Sequence, residues 1–250
     1  MKKIVVVLCL FLLVSCEKKE LSSDQLVGKQ GVFYKMNSRS PFTGVTIDTW
    51  ESGQVRSRSS YKDGVLDGPS EFYFKSGQLG TREFFIEGAR HGPKQNYYPN
   101  GQLASINFYS RDMEDGKQER YYQNGVLQSK HLVKNGKLDG TNEQYSENGQ
   151  LRTRSTYKDG MLNGPYENYY ENGQVLSIRM YKDDQIHGIW KKFYENGQLE
   201  SKSIYHYEKK NGISEEYREN GRLRQKEFFK DGNPIGPWDY YNKDGVRISK

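Results

Sequence analysis

The sequence predicts an all-β protein, built as tandem 24-residue β-hairpin repeats that form an elongated, twisted antiparallel meander. Three observations predict it. Glycines of Ser-Gly, Asn-Gly or Asp-Gly dipeptides fall at Gly53, Gly77, Gly101, Gly125, Gly149, Gly173, Gly197, Gly221 and Gly245, nine times without an insertion or deletion. A second glycine runs nine residues ahead of each, at Gly44, Gly68, Gly92, Gly116, Gly140, Gly164, Gly188, Gly212 and Gly236. Between these glycines lie runs rich in Tyr, Phe, Ile and Val, the residues that fit a pleated, half-buried surface. Two registers held this strictly make the architecture a stack of one small unit, in which each unit covers the next.

The chain begins differently. Lys2 and Lys3 precede an apolar run from Ile4 to Val14, short of the roughly 20 residues that a membrane-spanning helix needs. Residues 1–15 therefore read as a secretory signal. The run closes on Leu13-Val14-Ser15-Cys16, which resembles the bacterial lipobox, whose cysteine is lipidated and becomes the mature N-terminus. That resemblance implies a lipid on Cys16, attachment to a membrane and a place in the bacterial cell envelope, facing outside the cytoplasm. Residues 16–30, polar and poor in aromatics, are expected to be a lipidated N-terminus and flexible tether, and residues 31–250 the nine-repeat array. Cys9 and Cys16 are the only cysteines. Cleavage before Cys16 leaves no disulfide and no cysteine nucleophile or cysteine metal site, so packing alone must hold the fold.

Within a repeat, Asn172-Gly173 sits between two strand-like runs, and Asn and Gly are the residues that best tolerate the positive φ angles of a type I′ turn. A two-residue turn fixes cross-strand partners. It places Glu71 opposite Arg82, Glu119 opposite Lys130, Glu143 opposite Arg154, Glu215 opposite Lys226 and Asp239 opposite Lys250. The next column pairs Phe74 with Leu79, Tyr98 with Leu103, Tyr122 with Leu127, Tyr170 with Val175 and Tyr194 with Leu199. A second turn, as in Lys62-Asp63-Gly64-Val65, joins one hairpin to the next. Its glycine is replaced by Asp112, Asp184 and Glu208 in later repeats, and Glu tolerates a left-handed backbone least, so a bend or loosened contact is expected at residues 206–211.

Two aromatic ladders follow from the period. One runs Tyr73, Tyr97, Tyr121, Tyr145, Tyr169, Phe193, Tyr217, Tyr241, and it is the candidate binding ladder. The other runs Tyr61, Phe85, Tyr109, Tyr157, Tyr181, Tyr205, Phe229, broken at Val133. Alternation along a strand puts them on opposite faces, so neither face is wholly polar. Lys243, Arg247 and Lys250 guard the last edge against end-to-end pairing.

The sequence offers no convergent chemistry. The four histidines, His91, His131, His187 and His206, are far apart in sequence, and His91 and His187 share a turn column with Asp67, Asp115, Asp139, Asn163 and Asn211, so no metal or other cofactor is expected. Carboxylates recur in register with basic partners, unlike the single pair of a hydrolase. Dinucleotide, Walker and HExxH motifs do not occur. Net charge is +6, yet the basic column alternates with an acidic one, which argues against nucleic acid. Exposed Tyr and Trp on tandem hairpins also suit a cell-wall glycan, but Trp50, Trp190 and Trp238 are few for that purpose.

The unit seen in Tyr157-Lys158-Asp159-Gly160 and Tyr169-Tyr170-Glu171-Asn172-Gly173-Gln174 resembles the bacterial variant of the MORN repeat, over about residues 31–250. The resemblance implies a repeat fold. Its members are commonly labelled antitoxins of toxin-antitoxin systems, and eukaryotic MORN arrays are associated with membranes, scaffolding and protein partners. Its motif residues are turn and ladder positions, so it implies no functional residue. Together these readings lead us to expect a membrane-anchored, non-enzymatic repeat lipoprotein that binds a protein partner in the envelope, with a glycan binder and an antitoxin or immunity protein as alternatives.

Overall fold

A computed structural model describes residues 20–248, so the signal and Cys16 lie outside the described residues. Among the described residues no helix is longer than the 3-10 turn Ser23–Gln25, and the rest of the regular structure is strand. The regular repeats run from Gly44–Thr49 and Val55–Lys62, through Val65–Tyr73 and Leu79–Ile86, to Lys209–Tyr217 and Leu223–Lys230. Each strand pairs antiparallel with the next in sequence, so the array is one long meander. The only parallel pairing among the described residues is Glu20–Leu21 on Gly44–Thr49.

The type I′ geometry expected of the Asn-Gly turns falls instead at the other turn of the repeat. At Asp63-Gly64 both residues have positive φ, 49° and 80°, and Lys62 pairs directly with Val65. That is the two-residue hairpin of type I′. At the Asn-Gly turns only glycine is left-handed, as at Gly173 with φ 85°. The loop there has three residues, closed by Gly173 N donating to Tyr170 O at 3.0 Å and Tyr170 N donating to Gln174 O at 2.8 Å. Asparagine is favoured for its side chain instead. Asn172 Oδ1 accepts from Gln174 N at 2.9 Å, and its Nδ2 donates to Glu195 O of the next repeat at 3.0 Å.

The longer loop moves the partners nearest it by one residue. Tyr169, not Tyr170, faces Val175, and likewise Tyr73 faces Leu79, Tyr97 faces Leu103, Tyr121 faces Leu127 and Phe193 faces Leu199. A bulge then absorbs the extra residue, so Glu71 to Arg82, Glu119 to Lys130, Glu143 to Arg154 and Glu215 to Lys226 face each other as expected. Asp239 faces Lys226 on one side and forms an ion pair with Arg247, while Lys250 lies outside the described residues.

The second glycine has its own reason. Gly116 has φ 117°, and a Cβ there would stand 3.1 Å from Phe108 Cβ, closer than side chains pack. The same contact recurs where Gly140 meets Leu132 and Gly188 meets Met180.

No loosening appears at residues 206–211. Glu208 takes φ 66° and still donates its N–H to Ile186 O at 2.9 Å, and its carboxylate accepts from Ile186 N at 2.6 Å. Asp184 and Asp112 do the same toward Leu162 N and Arg90 N. The side-chain bond offsets the left-handed strain, which costs roughly 1–2 kcal/mol per non-glycine residue.

Residues 20–30, expected as part of the tether, belong to the folded structure instead. From Glu20 onward the chain is in regular structure: Glu20–Leu21 pairs with the first repeat, and Leu26–Lys29 forms a hairpin with Val32–Lys35 about the left-handed Gln30 and Gly31. The boundary expected between residues 30 and 31 therefore falls inside a turn. This hairpin covers the first repeat, with Phe33 N donating to Gly64 O at 2.8 Å and the Phe33 ring 5.7 Å from that of Tyr61.

Candidate functional site

The backbone register arranges both faces of the sheet into rows. Among the described residues only Phe42, Val45 and Val133 are buried hydrophobics, whereas Thr46, Gln118, Glu143, Ser155, Ser177, Ser203, Ser214 and Glu227 are buried polar groups. A single open sheet has no second layer to cover it, so rows of side chains bury one another.

One face carries the second aromatic ladder beside a row of small polar side chains. Ser59 bonds Ser70 at 2.8 Å, Asn168 bonds Ser177 at 3.1 Å and Ser203 bonds Ser214 at 2.8 Å. Where the ladder is broken, Val133 lies at a pocket of about 390 Å³ with His131, Asn142 and Glu114 around it. Burial pushes the His131 imidazole below its usual value, and the Arg120 charge adds to this.

The opposite face carries the candidate binding ladder. Tyr73, Tyr97, Tyr121, Tyr145, Tyr169, Phe193, Tyr217 and Tyr241 all lie on it, each half-buried. Five of their hydroxyls are committed within the strand. Tyr73 donates to Glu71 at 2.6 Å, Tyr121 to Glu119 at 3.0 Å, Tyr145 to Glu143 at 2.6 Å and Tyr217 to Glu215 at 2.9 Å, and Tyr169 donates to Glu167. The carboxylates in turn meet the basic row: Arg82 on Glu71 at 2.8 Å, and Lys130 at 2.7 Å with Arg154 at 2.9 Å on Glu143.

Electrostatics follow this geometry. Burial works to raise the Glu143 carboxyl, but the bonds from Lys130, Tyr145 and Arg154 outweigh it and hold it at about 2. Burial together with the neighbouring carboxylate pushes the Tyr169 and Tyr217 hydroxyls up to about 12. These tyrosines stay protonated donors across the physiological range.

Next to the ionic row runs an apolar one, Phe84, Phe108, Leu132, Met180, Ile204 and Phe228, interrupted at Thr156. Leu132 is 46% and Phe228 41% exposed. Period counting had singled out the tyrosines; this row escaped it because its members change type from repeat to repeat.

A further ladder was hidden in the residues paired one place off. Tyr98, Tyr122, Tyr170 and Tyr194 reach across to the carbonyl 23 residues on, at 2.7–2.8 Å, as in Tyr98 Oη to Tyr121 O. Trp50 Nε1 and Arg218 Nη2 make the same bond where the tyrosine is absent. The histidines also come closer than sequence distance implied. His187 and His206 have ring centroids 5.0 Å apart and share contact with Tyr207. Among the described residues no group of three or more His, Cys, Asp or Glu is placed to hold a metal ion.

An open sheet whose turns, backbone carbonyls and the hydroxyls of Tyr98, Tyr122, Tyr170 and Tyr194 join one unit to the next defines the class as a tandem-repeat scaffold. The family model described as MORN repeat variant matches residues 90–110, 114–135, 138–159, 162–183, 186–207 and 210–231, beginning every 24 residues, and the chain belongs to that family. No curated protein matches it.

Proposed function

We propose that the chain is a non-enzymatic protein-binding scaffold that presents the face carrying the tyrosine, ionic and apolar rows to a partner protein. The observation that supports this is the apolar row from Phe84 to Phe228, left partly open to solvent beside an ionic row. An exposed apolar stripe bordered by ordered charge is the composition of an interaction surface. The hydroxyls of Tyr73, Tyr121, Tyr145, Tyr169 and Tyr217 are already bonded to glutamates, so these tyrosines support the surface rather than reach out from it.

Replacing Phe108, Leu132 and Met180 by Ser tests the reading. Circular dichroism should show the β fold retained, and affinity capture from native cells should lose the protein that wild type retains. Equal retention by both would overturn the proposal.

The motif Leu13-Val14-Ser15-Cys16 supports a lipid anchor that holds this scaffold at an envelope membrane. Cys16→Ala should then release the protein from the membrane fraction. A toxin as the captured partner would make the chain its immunity protein. Glycan stacking has less support, because the Trp190 ring is covered by Arg179 at 4.4 Å and Trp50 lies within 6 Å of both Arg56 and Lys75.

A further inference from the structure

The ionic row carries one reversal of sign. From Glu119 the row reads Lys130, Glu143, Arg154, Glu167, then Ile178, Lys191, Lys202, Glu215, Lys226. In the column of Lys191 the neighbouring repeats place Glu143, Glu167 and Glu215. Lys191 instead stands directly opposite Lys202, with Ile178 on its other side. Like charges directly opposite are destabilising in a sheet.

The usual compensations do not reach this pair. Neither lysine takes part in an ion pair among the described residues, although both are half-buried. Glu215, on the far side of Lys202, is engaged by Tyr217 at 2.9 Å and Lys226 at 3.9 Å. The tyrosine that elsewhere accompanies the glutamate is changed in the same strand, to Phe193, so there is no hydroxyl here either. Beside the two lysines the strands carry aliphatic residues: Ile178 faces Lys191, and Ile189, 40% exposed, faces Ile204.

We infer that Lys191 and Lys202 form the acceptor for one carboxylate of the partner protein, an Asp or Glu whose neighbouring aliphatic side chain packs on Ile189 and Ile204. This rests on the protein-binding reading above and names the chemistry of one contact within it. A carboxylate between the ammonium groups supplies charge-assisted hydrogen bonds to both and removes their repulsion. Charge complementarity of this kind sets specificity more than gross affinity. The aliphatic border distinguishes the site from a bare cationic patch.

The test uses the full-length chain with a fluorescent extended peptide carrying one Glu between two Leu residues, and its counterpart with Gln in place of Glu. Lys191→Glu restores the repeat's own pattern, so it should fold with unchanged or raised thermal stability. Wild type should bind the Glu peptide about tenfold more tightly than the Gln peptide, and Lys191→Glu should lose that preference. Lys226→Gln, which removes a lysine already facing Glu215, should keep it.

Equal binding of the two peptides, or a preference that survives Lys191→Glu, would overturn the inference. So would Lys191-dependent binding to phosphatidylserine vesicles without binding to the Glu peptide, since the site would then be a lipid contact. Capture of the native partner separates the two levels. Undiminished capture by Lys191→Glu defeats the acceptor but leaves the scaffold reading intact, whereas no capture even by wild type defeats the scaffold reading.

Discussion

At Glu143 three donors from three strands converge on one carboxylate, whose side chain is 9% exposed. The residue links Lys130, Tyr145 and Arg154; Gln in its place keeps an acceptor oxygen but loses the charge that both cations meet, and among the described residues only Arg154 of the two has a second carboxylate, Glu167 at 3.5 Å. Glu143→Gln should cost about 2 kcal/mol at neutral pH, between the values for exposed and buried pairs, read from denaturant unfolding. The sign of the pH dependence follows from the depressed carboxyl. Its contribution is full above about pH 4.5 and is lost as pH falls toward 2, so the wild-type advantage over Glu143→Gln should vanish across that window. Tyr169 and Tyr217 give the opposite limb. Their raised hydroxyls contribute fully below pH 10, and the contribution is lost as pH rises through about 12. Tyr169→Phe together with Tyr217→Phe should therefore flatten the alkaline loss of stability, measured by thermal melts across that range.

At the scale of the element, the two turns divide the labour of joining repeats. Asn124 at the three-residue loop bonds Val126 N at 2.9 Å and Glu147 O at 3.1 Å. Asn124→Ala should cost about 1–2 kcal/mol, the loss of two hydrogen bonds. The type I′ turn behaves otherwise. Asp184→Gly removes left-handed strain and also the 2.7 Å bond to Leu162 N, so the change should be near neutral, within about 0.5 kcal/mol. A large gain in stability from Asp184→Gly would show that the side-chain bond offsets nothing. Glycine is thus needed at Gly116, where a Cβ would meet Phe108, but is optional at the type I′ turn that precedes it, where Asp112 stands.

At the scale of the molecule, each unit touches chiefly its neighbours, so stability approximates a sum over units and their contacts. Removing the 24 residues 162–185 should leave a shorter folded array, because Lys158-Asp159-Gly160-Met161 then joins the unit at residue 186 in the same register. Removing twelve residues should not, since the second half of a hairpin would be left facing the wrong turn. Comparable melting curves for the two deletions would contradict this additive picture. The ends differ in kind. The hairpin of residues 26–35 closes the first repeat, while Ile235, Trp238, Val246 and Ile248 at the other end remain partly exposed.

By itself the sequence determined the period, the hairpin unit, the opposite faces of the two aromatic ladders and the pairing of glutamates with basic residues. Each depends only on spacing along the chain and on strict alternation in a strand. The resemblance to the family rested on the residues of the unit themselves, Tyr157 to Gly160 and Tyr169 to Gln174, and the family match covers all of them but Gly160. What the sequence could not settle was which turn held the left-handed pair, because Asn-Gly suits a type I′ turn and a three-residue loop alike, and only the hydrogen bonds of the folded backbone choose between them. Tertiary structure also decided that Asn172 and Tyr170 bond the next repeat, and that Glu208 replaces glycine without loss. It alone placed Phe33 over the first repeat, whereas Lys191 opposite Lys202 and Phe84 in line with Phe228 already follow from the period and the unshifted register. The contacts that only the fold decided join residues about one repeat apart, or depend on a bulge that shifts partners by one place, and neither distance nor bulge is written in a local pattern of residue types.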